Sequence, residues 1–164
     1  MSVLITMEAV VVDARGCTLK HDFYVKELAF YQVSTGEHWV DTFQPPFDRC
    51  YLRKKFIKQM DQQLQQNTAM KWEDGTYPYQ AVYAVINCFA KTGPLYALGK
   101  DMCHWIQQYT CTHVNNVEEL GCFAPPASQI QACHYHQDNI NVMCALDRAT
   151  QYGMYLHTMF SFSM

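Results

Sequence analysis

The chain has 164 residues, the size of one domain that can bury a hydrophobic core. Hydrophobic residues make up 49% of the sequence and charged residues 16%, a balance that excludes general disorder. The net charge of −3 argues against attraction of the whole surface to nucleic acid, so any such binding needs a local basic patch.

Targeting signals and cysteine content bear on the compartment. No apolar run is long enough to span a bilayer, and the apolar N-terminal segment lacks the basic start of a signal peptide. We therefore expect an intracellular protein, cytoplasmic or nuclear, with no membrane partner. In a reducing compartment, eight cysteines favour metal ligation and buried thiols over disulfides.

The first third of the chain is typical of antiparallel strands. Segments rich in Val, Ile and aromatic residues predict strands at 3–12, 23–33 and 37–43, the first closed by a turn over Asp13, Arg15 and Gly16. Ser34, Thr35 and Gly36 predict the hairpin turn between the second and third strands. The three strands should form an antiparallel meander.

The rest of the chain alternates helices with short strands. Apolar spacing predicts helices at 49–66, 79–90, 101–109 and 143–159, with Asp101 as a cap, and short strands at 94–98 and 113–117. The segment 121–142 is rich in Pro, His and Asn and is expected to be irregular. A meander followed by helix-separated strands is the order of an RNase H-like α/β fold. We predict one domain over 1–164, with a mixed five-stranded sheet flanked by helices.

A cluster of cysteine and histidine residues predicts a zinc site. Cys133 and His136 form a C-x2-H pair, a spacing that lets one tight turn present two ligands to the same ion. Cys144 follows at the start of a predicted helix, where the helix dipole favours a thiolate. Zinc would staple this C-terminal loop and helix, because ligation can replace the apolar core that the loop lacks. The alternative is a set of ordinary buried thiols and a surface histidine.

The fourth ligand has two candidates. Strict alternation along the second strand places Glu27 on the apolar face of Phe23, Val25 and Ala29, where an unpaired carboxylate would be costly and a metal would remove that cost. Cys122 is the competitor, since three cysteines with one histidine are a commoner structural set.

One stretch of the chain concentrates positive charge. The window contains Arg49, Arg53, Lys54, Lys55 and Lys58, and on a helix Lys54 and Lys58 share a face. One interpretation is a stripe that contacts RNA phosphates, with an aromatic ring nearby to stack on bases. The other is a solvated helix face. The aromatic candidates for stacking are Tyr51, Trp72 and Tyr77.

Several of these segments resemble the DEDDh exonuclease superfamily and, within it, the Maelstrom domain. The stretch Val10-Val11-Val12-Asp13 resembles the first exonuclease strand, and Leu95 to Ile106 resembles the strand and helix of the second motif. The stretch from Phe23 to Ala29 is similar to a Maelstrom segment and places Glu27 at that family's zinc glutamate. Cys133, His136 and Cys144 fall on its other ligands.

The catalytic positions of the exonucleases are not kept. Two-metal nucleases need carboxylates that bind Mg²⁺ and a histidine that activates water. Asp13 is present, but its partner position holds Arg15, and the second motif has Cys103 or His104 where an aspartate is expected. In the last motif, Met143 and Arg148 replace histidine and aspartate. Asp147 is one residue away, a turn of about 100° on a helix.

The resemblance therefore implies a degenerate exonuclease-like domain without catalytic residues. We expect a zinc-stabilised module that binds RNA or a protein partner, in small-RNA or transposon silencing as in the family. Two alternatives stay open: an RNA nuclease with a non-standard active site, and a scaffold that binds only proteins.

Overall fold

The Val-rich segment near the N-terminus forms the central strand of a sheet. The computed structural model describes residues 8–122 and 144–162. Its strands are β1 (Val10–Leu19), β2 (Asp22–Gln32), β3 (His38–Thr42), β4 (Leu95–Ala97) and β5 (Val114–Asn116). Its α-helices are α1 (Lys54–Asn67), α2 (Ala81–Ala90), α3 (Lys100–Gln107) and α4 (Ala145–Phe162), and short 3₁₀ turns lie at Arg49–Tyr51 and Val117–Leu120.

The five strands form one mixed sheet in the order β3-β2-β1-β4-β5. β1 pairs with β2 and β2 with β3 in antiparallel fashion, while β4 runs parallel to β1 and β5 parallel to β4. The predicted α/β class, the antiparallel meander and the mixed five-stranded sheet flanked by helices are confirmed. Among the described residues, no helix has the length and apolarity needed to cross a membrane.

A predicted turn and a predicted helix cap are wrong. The first strand does not turn at Asp13 to Gly16 but continues to Leu19, and the turn falls on Lys20 and His21, whose φ angles are 50° and 73°. Continuous pairing with β2 overrides the turn preference of these residues. Asp101 is likewise not a cap, because Gly99 occupies the N-cap position of α3 and Asp101 lies in the first turn.

A β-bulge in β2 changes which residues share a face. Arg15 pairs with Glu27 but its neighbour Gly16 pairs with Val25, so Lys26 is an extra residue in β2. Beyond the bulge the alternation is reversed. Glu27 shares a face with Ala29, as predicted, but Val25 packs in the cluster on the opposite face of the sheet.

The two faces of the sheet carry different helices. Val11 and Ala29 pack with α4 on one face, whereas Val12, Val25 and Leu28 pack with α2 and α3 on the other. A third cluster joins the far half of β1 to Trp72 and the buried side of α1, and its buried members are Cys17, Leu19, Met60, Leu64 and Trp72. The sheet is thus covered on both faces.

The close contact of α4 with the sheet depends on a glycine. A Cβ added at Gly153 would lie 2.1 Å from the ring of Tyr31 in β2, closer than any real contact. The missing side chain lets α4 approach β2 over its middle turns. That approach brings the first residues of α4 against β1 and β2, where the predicted site residues lie.

Candidate functional site

Glu27 is fully buried in β2 and contacts the first residue of α4. Its Oε1 atom accepts a hydrogen bond of 2.5 Å from the backbone N–H of Ala145, although the two residues are 118 positions apart. The carboxylate therefore meets the positive end of the α4 dipole, a favourable arrangement for a negative group. The residue that donates this bond, Ala145, directly follows Cys144 in the sequence.

Cys144 is also fully buried and acts as a cap for α4. Its Sγ accepts a hydrogen bond from the backbone N–H of Asp147 at 3.4 Å. Glu27 and Cys144 thus place an oxygen donor and a sulfur donor at the start of α4, and both donor types suit zinc. Cys133 and His136, the remaining predicted ligands, lie outside the described residues, so the zinc site stays a prediction.

Cys122, the alternative fourth ligand, packs in the same apolar cluster as Cys144. Burial raises the pKa of its thiol above the ordinary value. The described residues contain no group of three His, Cys, Asp or Glu side chains that could hold a metal ion, and two of the predicted ligands are not among them. The choice between Glu27 and Cys122 accordingly needs a metal-binding measurement.

A buried ion pair lies beside this helix start. Arg148 Nε is 3.3 Å from Asp13 Oδ2, and the Asp13 side chain is 1% exposed against 20% for Arg148. Neither Asp13 oxygen has a hydrogen-bond partner within the described residues, and the Tyr152 hydroxyl nearby has none there either. The contact is therefore a charge pair without the hydrogen bonds that usually accompany buried carboxylates.

The pKa of Asp13 reflects this environment. Burial raises it to about 6, and the guanidinium groups of Arg148 and Arg15 oppose the rise without cancelling it. The carboxylate in turn raises the pKa of Arg148 against the effect of that residue's own burial. Because Asp13 is the more deeply buried partner, we assign most of the desolvation cost to it.

The other positions that the resemblance assigns to exonuclease motifs make contacts within the chain. The Arg15 side chain bonds to Asn67 at the end of α1, with its Nε 3.3 Å from the backbone oxygen. Cys103 is buried and its Sγ donates to the backbone oxygen of Ala97, whereas His104 is exposed on α3. Asp147 accepts a bond from the Gln151 side chain. Met143 lies outside the described part of the chain.

The basic window divides into a paired and an exposed part. Arg49 forms ion pairs with Asp61 and Glu73, with N–O distances of 2.7 and 3.2 Å. Arg53 and the three lysines Lys54, Lys55 and Lys58 are exposed, Arg53 just before α1 and the lysines in its first turns. Their role in binding RNA stays a prediction.

A lysine that the sequence did not single out joins this surface. Lys20, in the β1–β2 turn, places its Nζ 4.8 Å from the ring centroid of Phe56, and Lys55 lies 4.9 Å from the same ring. Only the packing of α1 on β1 brings Lys20 there. No other lysine or arginine lies close to Lys20 in the sequence to signal a basic surface.

The aromatic residues predicted for base stacking differ in exposure. Trp72 is fully buried, and its Nε1 donates to the backbone oxygen of Phe47, so its ring belongs to the core. Tyr77 is 39% exposed and stacks on Trp39, and Tyr51 is 80% exposed within the basic window. Tyr51 is therefore the ring best placed to contact a ligand of α1.

A cavity of about 800 Å³ lies between the β1–β2 turn, the segment after β3, and α3. Its walls include Phe23, Tyr79 and Trp105, together with Asp22 and Asp101. Sequence analysis did not find it. The only signal was the aromatic content, which did not indicate which rings come together.

Comparison of the chain with protein-family models, with curated proteins and with solved structures finds no match. We therefore infer function from the chain's own residues and from the resemblance in their motifs.

Proposed function

We propose that the chain is a non-catalytic, zinc-stabilised RNase H-like domain of the Maelstrom type, which binds single-stranded RNA through the start of α1. The observation that carries the non-catalytic part of the proposal is the contact between Asp13 and Arg148. The resemblance to Maelstrom domains further suggests a role in small-RNA or transposon silencing.

The charges around Asp13 disfavour nuclease chemistry. A two-metal nuclease stabilises its transition state with Mg²⁺ ions held by several carboxylates. Here the one carboxylate of the first motif faces a guanidinium at 3.3 Å, and a second cation, Arg15, is close enough to influence its pKa. A divalent cation placed at Asp13 would be repelled by both arginines, so the site disfavours Mg²⁺.

This part of the proposal predicts that the purified chain digests no single-stranded RNA or DNA. With Mg²⁺ or Mn²⁺ added, labelled oligonucleotides should keep their full length on denaturing gels, and Asp13→Ala should behave as the wild type does. Digestion from the 3′ end that disappears in Asp13→Ala would contradict the proposal. Digestion that persists in that variant would instead favour the alternative of a non-standard active site.

RNA binding is argued from the exposed cations of α1. Lys54, Lys55 and Lys58 are free of ion pairs within the described residues, unlike Arg49, and Lys20 adds a fourth ammonium group beside them. Ammonium groups along one surface neutralise successive phosphates and release their counterions. The exposed ring of Tyr51 lies next to them in the chain and is able to stack on a base.

The second prediction is that changing Lys54, Lys55 and Lys58 together to Glu abolishes RNA binding. Fluorescence anisotropy with a labelled single-stranded RNA should show wild-type affinity falling with salt, by a log–log slope of roughly −0.7 per phosphate contact. Exposed substitutions of this kind change stability little, and circular dichroism should verify an intact fold.

A matched control is Lys71, Lys91 and Lys100 changed together to Glu. These lysines are also exposed and lie outside the basic window, so the control has the same net charge as the test variant. Binding that survives in the control and is lost in the test variant assigns the contact to α1. Equal binding by both variants, or no binding by the wild type, would contradict the proposal and leave the protein scaffold as the better interpretation.

A further inference from the structure

The cavity between the β1–β2 turn and α3 is walled by aromatic rings. Six side chains supply them: Phe23, Tyr24, Phe47, Tyr79, Trp105 and Tyr109. Its volume of about 800 Å³ is in the range of pockets that bind drug-sized ligands or short peptide segments.

Contacts among the rings, and with the strand β2, hold the rings in place. Trp105 is 6% exposed and packs edge-on against Phe23 at 5.0 Å and Tyr109 at 5.1 Å between ring centroids. The Tyr79 hydroxyl accepts a bond of 3.3 Å from the backbone N–H of Val25 in the bulged strand. Such rings lose little freedom when a ligand enters, because packing has already fixed them.

The permanent charges around the cavity have one sign, and two histidines that also line it, His21 and His104, add positive charge only when they are protonated. Asp22, at the start of β2, and Asp101, in the first turn of α3, both line it and are exposed. Neither forms a salt bridge with any described residue. No lysine or arginine lines the cavity, and the ammonium group of the adjacent Lys20 lies against Phe56 of α1.

Aromatic faces together with carboxylates select cations. A cation is attracted to the negative face of an aromatic ring, and two uncompensated carboxylates add a Coulomb attraction. The same two carboxylates repel phosphate, which makes this cavity unsuitable for the RNA that the α1 lysines would bind.

We propose that this cavity binds a cationic side chain, lysine or arginine with or without methyl groups, presented by a short segment of a protein partner. The proposal adds a protein-binding site to the proposed function and does not depend on it. The side chain would lie between the rings near Trp105, with its charge toward Asp22 and Asp101.

The test uses capped peptides of the form acetyl-Gly-Gly-Xaa-Gly-Gly-amide, in which Xaa is lysine, trimethyllysine, arginine or the neutral norleucine. The indole N–H signal of Trp105, assigned with a Trp105→Phe variant, is followed by NMR. We expect a saturable shift with at least one cationic peptide, and at least about tenfold weaker binding of the norleucine peptide, which lacks the cation–π and Coulomb terms.

Charge variants provide the second readout. Asp22→Asn combined with Asp101→Asn changes exposed side chains only. This double variant should bind the cationic peptide at least about fivefold more weakly than the wild type does. Glu37→Gln combined with Glu119→Gln is the matched control, since both residues are exposed and do not line the cavity, and it should bind as the wild type does.

Three results would overturn the proposal: equal binding of the norleucine peptide, unchanged affinity in the Asp22/Asp101 variant, or no saturable shift with any cationic peptide. A shift of the Trp105 signal by oligouridylate, competing with the peptide, would identify the cavity as a nucleic-acid site and overturn it as well. Because the α1 lysines are not changed here, failure of this proposal is distinguishable from failure of RNA binding.

Discussion

Removing one predicted zinc ligand should unfold the part of the chain around the start of α4. We expect purified protein to contain about one zinc per chain, and Cys133→Ser, His136→Ala and Cys144→Ser each to lose it. The apparent free energy of a structural zinc site is about 10–16 kcal/mol in small zinc-binding peptides, which equals or exceeds the stability of a typical domain. Elemental analysis and thermal unfolding with and without a chelator measure both effects.

Glu27 requires a variant that separates its two roles. Its Oε1 accepts the N–H of Ala145, so Glu27→Gln keeps an acceptor for that bond while removing the negative charge that a metal needs. We expect this variant to lose zinc and stability. Cys122→Ser should keep its zinc if Glu27 is the fourth ligand and lose it if Cys122 takes that place.

The control for these variants is Cys88→Ser, which changes an exposed thiol on α2 and should leave metal content and stability unchanged. Wild-type protein that is fully folded and free of metal would contradict the zinc prediction. In that case the hydrogen bond from Ala145 to Glu27 and the packing of α4 would be sufficient to hold the helix start.

The second large effect is expected at Lys26, the extra residue of the bulge. This lysine is fully buried, and its Nζ donates to the backbone oxygens of Phe43 and Trp72, each at 2.7 Å, and of Asp74. Lys26→Met keeps the aliphatic chain and removes the donors, which leaves these carbonyl groups unsatisfied. We expect the free energy of unfolding at pH 7 to fall by about 3 kcal/mol, measured by urea denaturation.

Lys71→Met is the matched control, because it removes an exposed lysine from the same loop region and should change stability little. If the two variants were equally stable, water would have to form hydrogen bonds with the three carbonyl groups in Lys26→Met. That outcome would contradict a structural role for the buried ammonium group.

The same lysine should give the stability a recognisable pH dependence. Burial lowers the pKa of Lys26 from 10.5 to about 8, while nearby Asp74 opposes this shift. Between these two values the unfolded chain holds a proton that the folded chain has released, so this contribution makes stability increase with pH. Below about pH 8 the residue is charged in both states and contributes no slope. The stability gap between wild type and Lys26→Met should therefore widen from pH 8 to pH 10.5.

The order of the strands and helices could be predicted from the sequence because it depends on local periodicity. Segments rich in Val and aromatic residues predict β2 and β3, and apolar residues at helical spacing predict α1, α2 and α4. The burial of Glu27 was predicted in the same way. These features depend only on residues that are close in sequence. Tertiary packing then stabilises the strands and helices that these residues already favour.

The arrangement of the candidate sites was decided by tertiary structure. The bulge at Lys26 placed Val25 and Glu27 on opposite faces, because a single extra residue reverses strand alternation. The Asp13–Arg148 pair and the bond from Ala145 to Glu27 join segments from opposite ends of the chain. The aromatic cavity draws its walls from separate segments of the chain, and no local pattern specifies such distant contacts, because they form only when the sheet and its helices pack together.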